Sequence, residues 1–252
     1  MVFVADKYPL IDHVQNADQI LMVKEIFSTI MGKYDFLNHF LSMRQDIAWR
    51  RFAVRQMRFS RTHRFLDVAT GTSDLAIEAA ICYPDIHVTG LDFVEEMLDQ
   101  GMKKVIKRGL SKRISLMKGN ALHLPFSQDT FDAAGTAFGI RNIPDKARAL
   151  SELKRVVVPG GRVLILELTF PQTGIFRRWY DTYLNRLLPL VARLFSANPE
   201  AYYYLGDSVM NFPSVEDFAR MMQHAGLTDV RAYTLTLGIC RLFVGCKPER
   251  SF

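Results

Sequence analysis

At the start of the chain, apolar residues recur at helical spacing. Leu21, Ile26, Phe27, Ile30 and Met31 form one stripe, and Phe36, Leu37, Phe40 and Leu41 continue it, so residues 17–60 are predicted helical. From Arg64 the period changes. Phe65 to Ala69 is a short apolar run ending in Thr-Gly-Thr, the pattern of a buried strand followed by a turn. Asp74 to Cys82 returns to a helical pattern, His87 to Leu91 reads as a second strand closing on Asp92, and Val94 to Arg108 is a helix stopped by Gly109. Two further strands follow at Ile114 to Lys118 and Phe131 to Ala137. Asp145 to Val157 is then a helix closed by Pro159-Gly160-Gly161, and Arg162 to Leu168 is a fifth strand.

Strands alternating with helices imply an α/β fold with a mostly parallel sheet and helices on both faces. Residues 170–213 break the rhythm, being rich in aromatics and carrying Pro171, Pro189, Pro199 and Pro213, and are expected to form an insertion over the strand ends. A helix at Val215 to His224 and two strands, Asp229 to Leu235 and Ile239 to Cys246, complete the pattern, with Gly238 at the turn between the strands. A connection that short permits only an antiparallel pair. The expectation is thus a seven-stranded sheet in residues 61–252, preceded by a helical lid and substrate segment in residues 1–60.

Composition narrows the function classes. Apolar residues make up 49% and charged residues 23% of 252 residues, enough for one core. The net charge of +6 suits a protein that visits an anionic surface, yet the basic residues are scattered, as at Arg50, Arg51, Lys103 and Lys104, and form no run of the kind that binds nucleic acid. Three cysteines (Cys82, Cys240, Cys246) with no close pair argue against a disulfide framework or a metal site and for a reducing cytoplasm. No signal peptide is read at Met1 to Asp12, and no apolar run reaches the roughly 18 residues that would span a bilayer.

Open α/β sheets bind ligands at the carboxyl ends of their strands. A dinucleotide would need a G-x-G-x-x-G turn after the first strand. The turn here is Ala69-Thr70-Gly71-Thr72-Ser73-Asp74, with one glycine and an acid where a pyrophosphate would sit, which speaks against a nicotinamide oxidoreductase. S-adenosylmethionine has no phosphate. Asp67 and Asp74 suit its positive groups, and Gly71 allows close approach of the backbone. Asp92, 25 positions after Asp67 (92 − 67), stands where an acid accepts the ribose hydroxyls. Asn120, after the third strand, suits the adenine edge, with Phe93 or Leu122 on its face. The structural alternatives are a strand-end acid capping its turn for Asp67 and a helix N-cap for Asp92.

The chain resembles the ubiquinone/menaquinone biosynthesis C-methyltransferases, a family of class I methyltransferases, from about Val23 to Gly245. Tyr34-Asp35 with Asn38, Leu41-Ser42 and Trp49-Arg50 are similar to its YDxxN, LS and WR elements. Asn120-Ala121, Leu124-Pro125-Phe126 and Thr130-Phe131-Asp132 resemble NA, LPF and TFD. Phe138-Gly139-Ile140-Arg141-Asn142 resembles FGxRN, and Tyr202 to Leu205 with Ser208 and Phe212-Pro213 resembles YxYLxxS and FP. The resemblance implies a Rossmann-like class I methyltransferase fold and contact of S-adenosylmethionine with Thr72, Asp92, Asn120 and Ala121. Ser73, where the family's cofactor loop has glycine, and Ala137, where some relatives have serine, depart from the pattern.

The implied reaction is methylation of a ring carbon of a polyprenylated quinol. A neutral ring carbon is a poor nucleophile; loss of a quinol proton gives a phenolate and puts charge on the ring. Arg141 is the candidate to stabilise that oxygen, with an ion pair to Asp145 as the structural alternative. Asn142 is the candidate to orient it. Tyr34 and Tyr204 are candidate donors from the lid segments, against core tyrosines. His39 is the candidate base, against a structural histidine. The stripe Tyr183, Leu184, Leu187, Leu188, Val191, Leu194 and Phe195, with arginines beside it, suits either an interfacial helix at the inner membrane surface or packing on the core or a second subunit of a homodimer. Two competing readings are a methyltransferase of another small-molecule or sterol acceptor and a non-catalytic partner of quinone enzymes.

Overall fold

The first apolar run, Arg64–Val68 (β1), is buried on both faces, which is why it reads as continuous rather than alternating. In a computed structural model, which describes His39, residues 42–171, Arg177, Arg178, Tyr180, Thr182 and the chain from 200 to 249 (side chains from Tyr204 onward), β1 is flanked on both sides by parallel strands. The elements in chain order are α1 (Gln45–Arg55), β1, α2 (Asp74–Cys82), β2 (His87–Asp92), α3 (Glu95–Lys107), β3 (Ile114–Lys118), β4 (Phe131–Ala137), α4 (Lys146–Val156), β5 (Val157–Leu168), α5 (Glu200–Met210), α6 (Val215–His224), β6 (Thr228–Leu235) and β7 (Cys240–Cys246). They build one 7-stranded sheet of order β3-β2-β1-β4-β5-β7-β6, in which β7 alone runs antiparallel to its neighbours.

After β3 the chain crosses back to lay β4 against the other side of β1. Helices on either side of this reversal point leave a crevice above the carboxyl ends of β1 and β4. Each strand divides its side chains between two cores. Phe65 joins Leu75, Ala76 and Ala80 on one face; Leu66 and Val68 join Leu150, Leu153, Phe218 and Phe243 on the other. Trp49, Ala53 and Val54 of α1 belong to the first core, so the part of residues 1–60 described here packs into the main body of the fold.

Two expected boundaries move. The first helix stops at Arg55 instead of continuing to 60. Its last carbonyls have side-chain partners: the Tyr83 hydroxyl donates to Val54 O and Met57 O (both 3.3 Å), and Arg162 donates to Gln56 O at 2.5 Å. The fifth strand begins at Val157, straight out of α4, and carries Pro159-Gly160-Gly161 within it as an irregularity of the β4 pairing. Those glycines do not end the helix. The Gly160 N–H donates to Lys247 O and the Lys247 N–H to Gly161 O, both at 2.9 Å. A Cβ on Gly161 would lie 2.7 Å from Val158 O and 2.8 Å from Asp132 O. Asp145 is the N-cap of α4, accepting from the Arg148 N–H at 2.8 Å. The interfacial stripe at 183–195, most of the lid at 1–38 and Tyr34 lie outside the described residues.

Candidate active site

The turn leaving β1 is held by the acid just before it. Asp67, 1% exposed, accepts through Oδ2 from the Thr70 hydroxyl (2.6 Å) and the Ala76 N–H (3.1 Å). The strand-end cap considered from the sequence is therefore present. Asp67 also lines the crevice. Burial pushes its pKa up to about 7, against the lowering effect of those two hydrogen bonds. Asp92, at the tip of β2, accepts from the Gly71 N–H (2.8 Å) and the Val94 N–H (3.0 Å), and burial raises its pKa too. One acid thus ties the cofactor turn to the start of the next helix while keeping lone pairs toward the cleft.

These groups bound a cleft of about 270 Å³. Its floor is the turn from Ala69 to Thr72, one wall is Asp92 to Val94 with Lys118 to Leu122, and the other is Ala137 to Gly139 with Asn142. Gly71, Thr72, Asp74, Asn120 and Ala121, proposed from the sequence, all line it. Asn120 accepts from the Leu122 N–H at 2.9 Å, which fixes its side chain in a local turn. Asp74 is already paired with Lys104, which also donates to Thr72 Oγ1 at 3.1 Å. The backbone bends sharply here: Ala69, Ser73 and Phe138 all have positive φ (53°, 68° and 62°). Such conformations are costly without glycine and gather at functional sites.

The FGIRN segment leaves β4 as a single 3-10 turn, Ile140–Asn142. Arg141 does not line the cleft. It is buried and its guanidinium meets Glu167 Oε1 at 2.6 Å, Phe138 O at 2.5 Å and Ser208 Oγ at 3.3 Å. Its ion-pair partner is therefore Glu167, 0% exposed at the end of β5, and not Asp145. Arg141 clamps the segment to β5 and α5. Asn142, by contrast, does line the cleft and accepts the Tyr204 hydroxyl at 3.0 Å. That contact gives the amide oxygen to Tyr204 and leaves the amide nitrogen as the group for another acceptor.

His39 lies away from the cleft lining, its Nδ1 2.7 Å from Asp46 Oδ2. Asp46, 3% exposed, also accepts from Ser42 Oγ (2.7 Å) and Arg50 Nη1 (2.5 Å). Burial pushes the Asp46 pKa up, and Ser42, Arg50 and His39 together outweigh it and hold the carboxyl below its usual range. Arg50 itself lines the cleft, 5.3 Å over the Phe138 ring and 3.6 Å from Asp74. Asp46, Lys104 and Glu167 were given no site role from sequence, and Arg50 was noted only as a scattered basic residue and as part of the WR element. The Asp46–Arg50 spacing of i,i+4 on a helix was the available signal; Lys104 and Glu167 have none.

Residues 13–247 match the ubiE/COQ5 methyltransferase family. The chain belongs to this family. The ubiquinone/menaquinone biosynthesis C-methyltransferase UbiE of Geotalea daltonii is 42% identical over 226 residues, 89% of this chain and 96% of that protein. The demethylmenaquinone methyltransferase of Deinococcus radiodurans is 40% identical over 243 residues, 96% of this chain and 99% of that one. The fold recurs in more distant proteins. A SAM-dependent methyltransferase from Thermotoga maritima superposes with a TM-score of 0.61 at 20% identity over 88% of this chain and 98% of that one. The [4+2]-cyclase SpnF superposes with a TM-score of 0.60 at 16% identity over 81% of each chain. Methyltransferase membership therefore rests on the family match and not on the sheet, which also serves a cyclase.

Ser73, beside this cleft turn, carries a visible physical cost. Its φ of 68° is one glycine adopts freely, and its hydroxyl is fully buried without a partner among the described residues. Gly101 in α3 makes room for it: a Cβ there would stand 2.3 Å from Ser73 Oγ.

Proposed function

We propose that this chain transfers a methyl group from S-adenosylmethionine to a ring carbon of a polyprenylated quinol in quinone biosynthesis. The observation that carries the reading is the cleft at the reversal point of the sheet, where Asp67 and Asp92 face the cavity and Asn142 of the FGIRN segment borders it. The donor set fits this cofactor. Two buried acids with raised pKa values suit a ligand bearing an ammonium and a diol, and no phosphate cradle of glycines is present in the turn. Asp92 would hold the ribose, Asn120 and Ala121 would border the adenine, and Asp67 would take the ammonium.

Bound there, S-adenosylmethionine supplies a methyl group activated on sulfonium. The protein's own task is to hold the quinol ring in line and to favour the phenolate. Asn142, its amide oriented by Tyr204, donates to the quinol oxygen, where negative charge grows. Arg141 acts one step back. By gripping Phe138 O and Glu167 it sets the position of Asn142 and of the Phe138 wall. Asp46 holds His39 through Nδ1 outside the described cleft lining, so the base role read for His39 from the sequence draws no support from the cleft geometry. Alignment of the two reactants in such a site is worth ~7–11 kcal/mol of barrier.

The acceptor would be a membrane lipid. It would be met at the bilayer surface; no helix among the described residues is long and apolar enough to cross a membrane. The test is incubation with methyl-labelled S-adenosylmethionine and, separately, reduced demethylmenaquinone and the corresponding benzoquinol. Label in the quinol ring is expected for one or both. Cofactor binding by calorimetry with no label in either quinol would overturn the proposal.

A further inference from the structure

Among the described residues, the cleft lining contains two basic side chains, Arg50 and Lys118. Lys118 is the last residue of β3, is exposed and is paired with Glu95 at 2.9 Å. Arg50 lies by the β1 turn, 3.6 Å from Asp74. Its side chain is 12% exposed and it acts electrostatically on Asp67. A buried acid and a nearly buried guanidinium bordering the same cavity form the complement of an α-amino acid, whose ammonium and carboxylate are separated by a single carbon.

We propose that Arg50 is the receptor for the carboxylate of the cofactor's methionine portion, and that Asp46 is the positioning residue that aims it. This rests on the S-adenosylmethionine reading above. The guanidinium is planar and forked, so it serves a carboxylate by two parallel hydrogen bonds if its plane is fixed. Among the described residues, Asp46 Oδ2 at 2.5 Å one helical turn earlier, the Phe138 ring at 5.3 Å and Asp74 Oδ2 at 3.6 Å help to fix it. The Asp74 contact is the longest of the three, and Asp74 is also paired with Lys104. It is the contact a ligand carboxylate replaces, since Asp74 keeps its lysine when Arg50 turns away. Asp46, 3% exposed and held below its usual pKa range, stays charged through the change.

A second consequence follows from where Arg50 stands in the chain. It is on α1, and its anchor Asp46 also binds His39 and Ser42. Asp46 thus joins the cation that borders the cleft to the described residues just before α1.

Decarboxylated S-adenosylmethionine keeps the sulfonium, amine, ribose and adenine and lacks only the carboxylate. Calorimetric titration of both compounds into the whole protein separates Arg50's role from general damage. In the native chain S-adenosylmethionine is expected to bind more tightly. In Arg50→Gln it is expected to weaken about 10–100-fold, the range for losing a charge-assisted hydrogen bond, while the decarboxylated compound changes by less than about 3-fold. Arg50→Lys keeps the charge but not the fork and should fall between. Asp46→Asn should lower the preference for the carboxylated compound by about 3–10-fold. Equal losses for both ligands, or none for either, would overturn the assignment. Failure of the native chain to bind either compound would overturn the cofactor reading itself, a result distinct from both.

Discussion

Asp67 carries an ionisable group that the empty fold has reason to keep neutral. It is 1% exposed and burial pushes its pKa up to about 7 from 3.8, with only Thr70 and Ala76 donating to it. A raised folded-state value means that the unliganded protein is most stable below about pH 4 as far as this group is concerned, and loses that contribution as pH climbs through about 7. At about 1.4 kcal/mol per pH unit, the gap between 3.8 and about 7 sets a ceiling near 4 kcal/mol on the cost at pH 8, and about 1.5 kcal/mol at pH 5. Asp67→Asn keeps an oxygen for Thr70 and Ala76 and removes the charge. Without ligand, the variant should therefore be the more stable protein, by a margin that widens by about 2–3 kcal/mol between pH 5 and pH 8. Urea unfolding of both proteins at the two pH values reads this directly, because all other titrations cancel in the difference. The same variant should bind S-adenosylmethionine more weakly, since its ammonium loses a counter-charge. A stability margin that stays constant from pH 5 to pH 8 would refute the reasoning, because it would mean that Asp67 does not titrate in that window.

Arg141→Ala strands the Glu167 carboxylate, 0% exposed, and should cost about 3–5 kcal/mol of folding stability in denaturant titrations; loss of turnover without loss of stability would instead put the guanidinium on the substrate. Tyr204→Phe frees the Asn142 amide to rotate and should lower kcat about 3–10-fold, the worth of one hydrogen bond, with cofactor affinity by calorimetry unchanged. Ser73→Gly relieves a φ of 68° and a buried hydroxyl without a described partner and should stabilise by about 1 kcal/mol in thermal unfolding. Gly101→Ala, which puts a Cβ 2.3 Å from Ser73 Oγ, should destabilise the native chain and be close to neutral in Ser73→Gly, a coupling that a double-mutant cycle would detect.

β1 and β4 were legible because burial on both faces forces apolar runs, whereas β3, at the edge and mostly not buried, was marked by the alternation of strand and helix patterns around it. The start of β5 was not legible. Pro159-Gly160-Gly161 has the composition of a helix stop, and only pairing with Lys247, far along the chain, turns it into strand. At the site, residues whose job is set by the backbone beside them were readable: Asp67 and Asp92 each sit at a strand tip and bind the turn next to it. Arg141 was assigned to the wrong surface of its loop for a physical reason. A cation's partner is decided by what folds against it, and Glu167 arrives 26 residues later from the next strand. The Asp46–Arg50 pair was written in the helix spacing, but nothing in that spacing tells that Arg50 borders the cleft.

The position of β7 bears on how the protein reaches its native state. Last of the strands in chain order, β7 nevertheless fits between β5 and β6, so the sheet cannot be assembled by adding strands one after another at a growing rim. Until β7 is available, β5 presents an unsatisfied backbone flank and β6 has nothing to pair with. β6, with Asp229 and Arg231 and most of its residues at least partly exposed, is poorly suited to sticking to other copies while it waits. β5, carrying Val163 to Leu166, has no such protection and is the strand through which a partly made chain would aggregate.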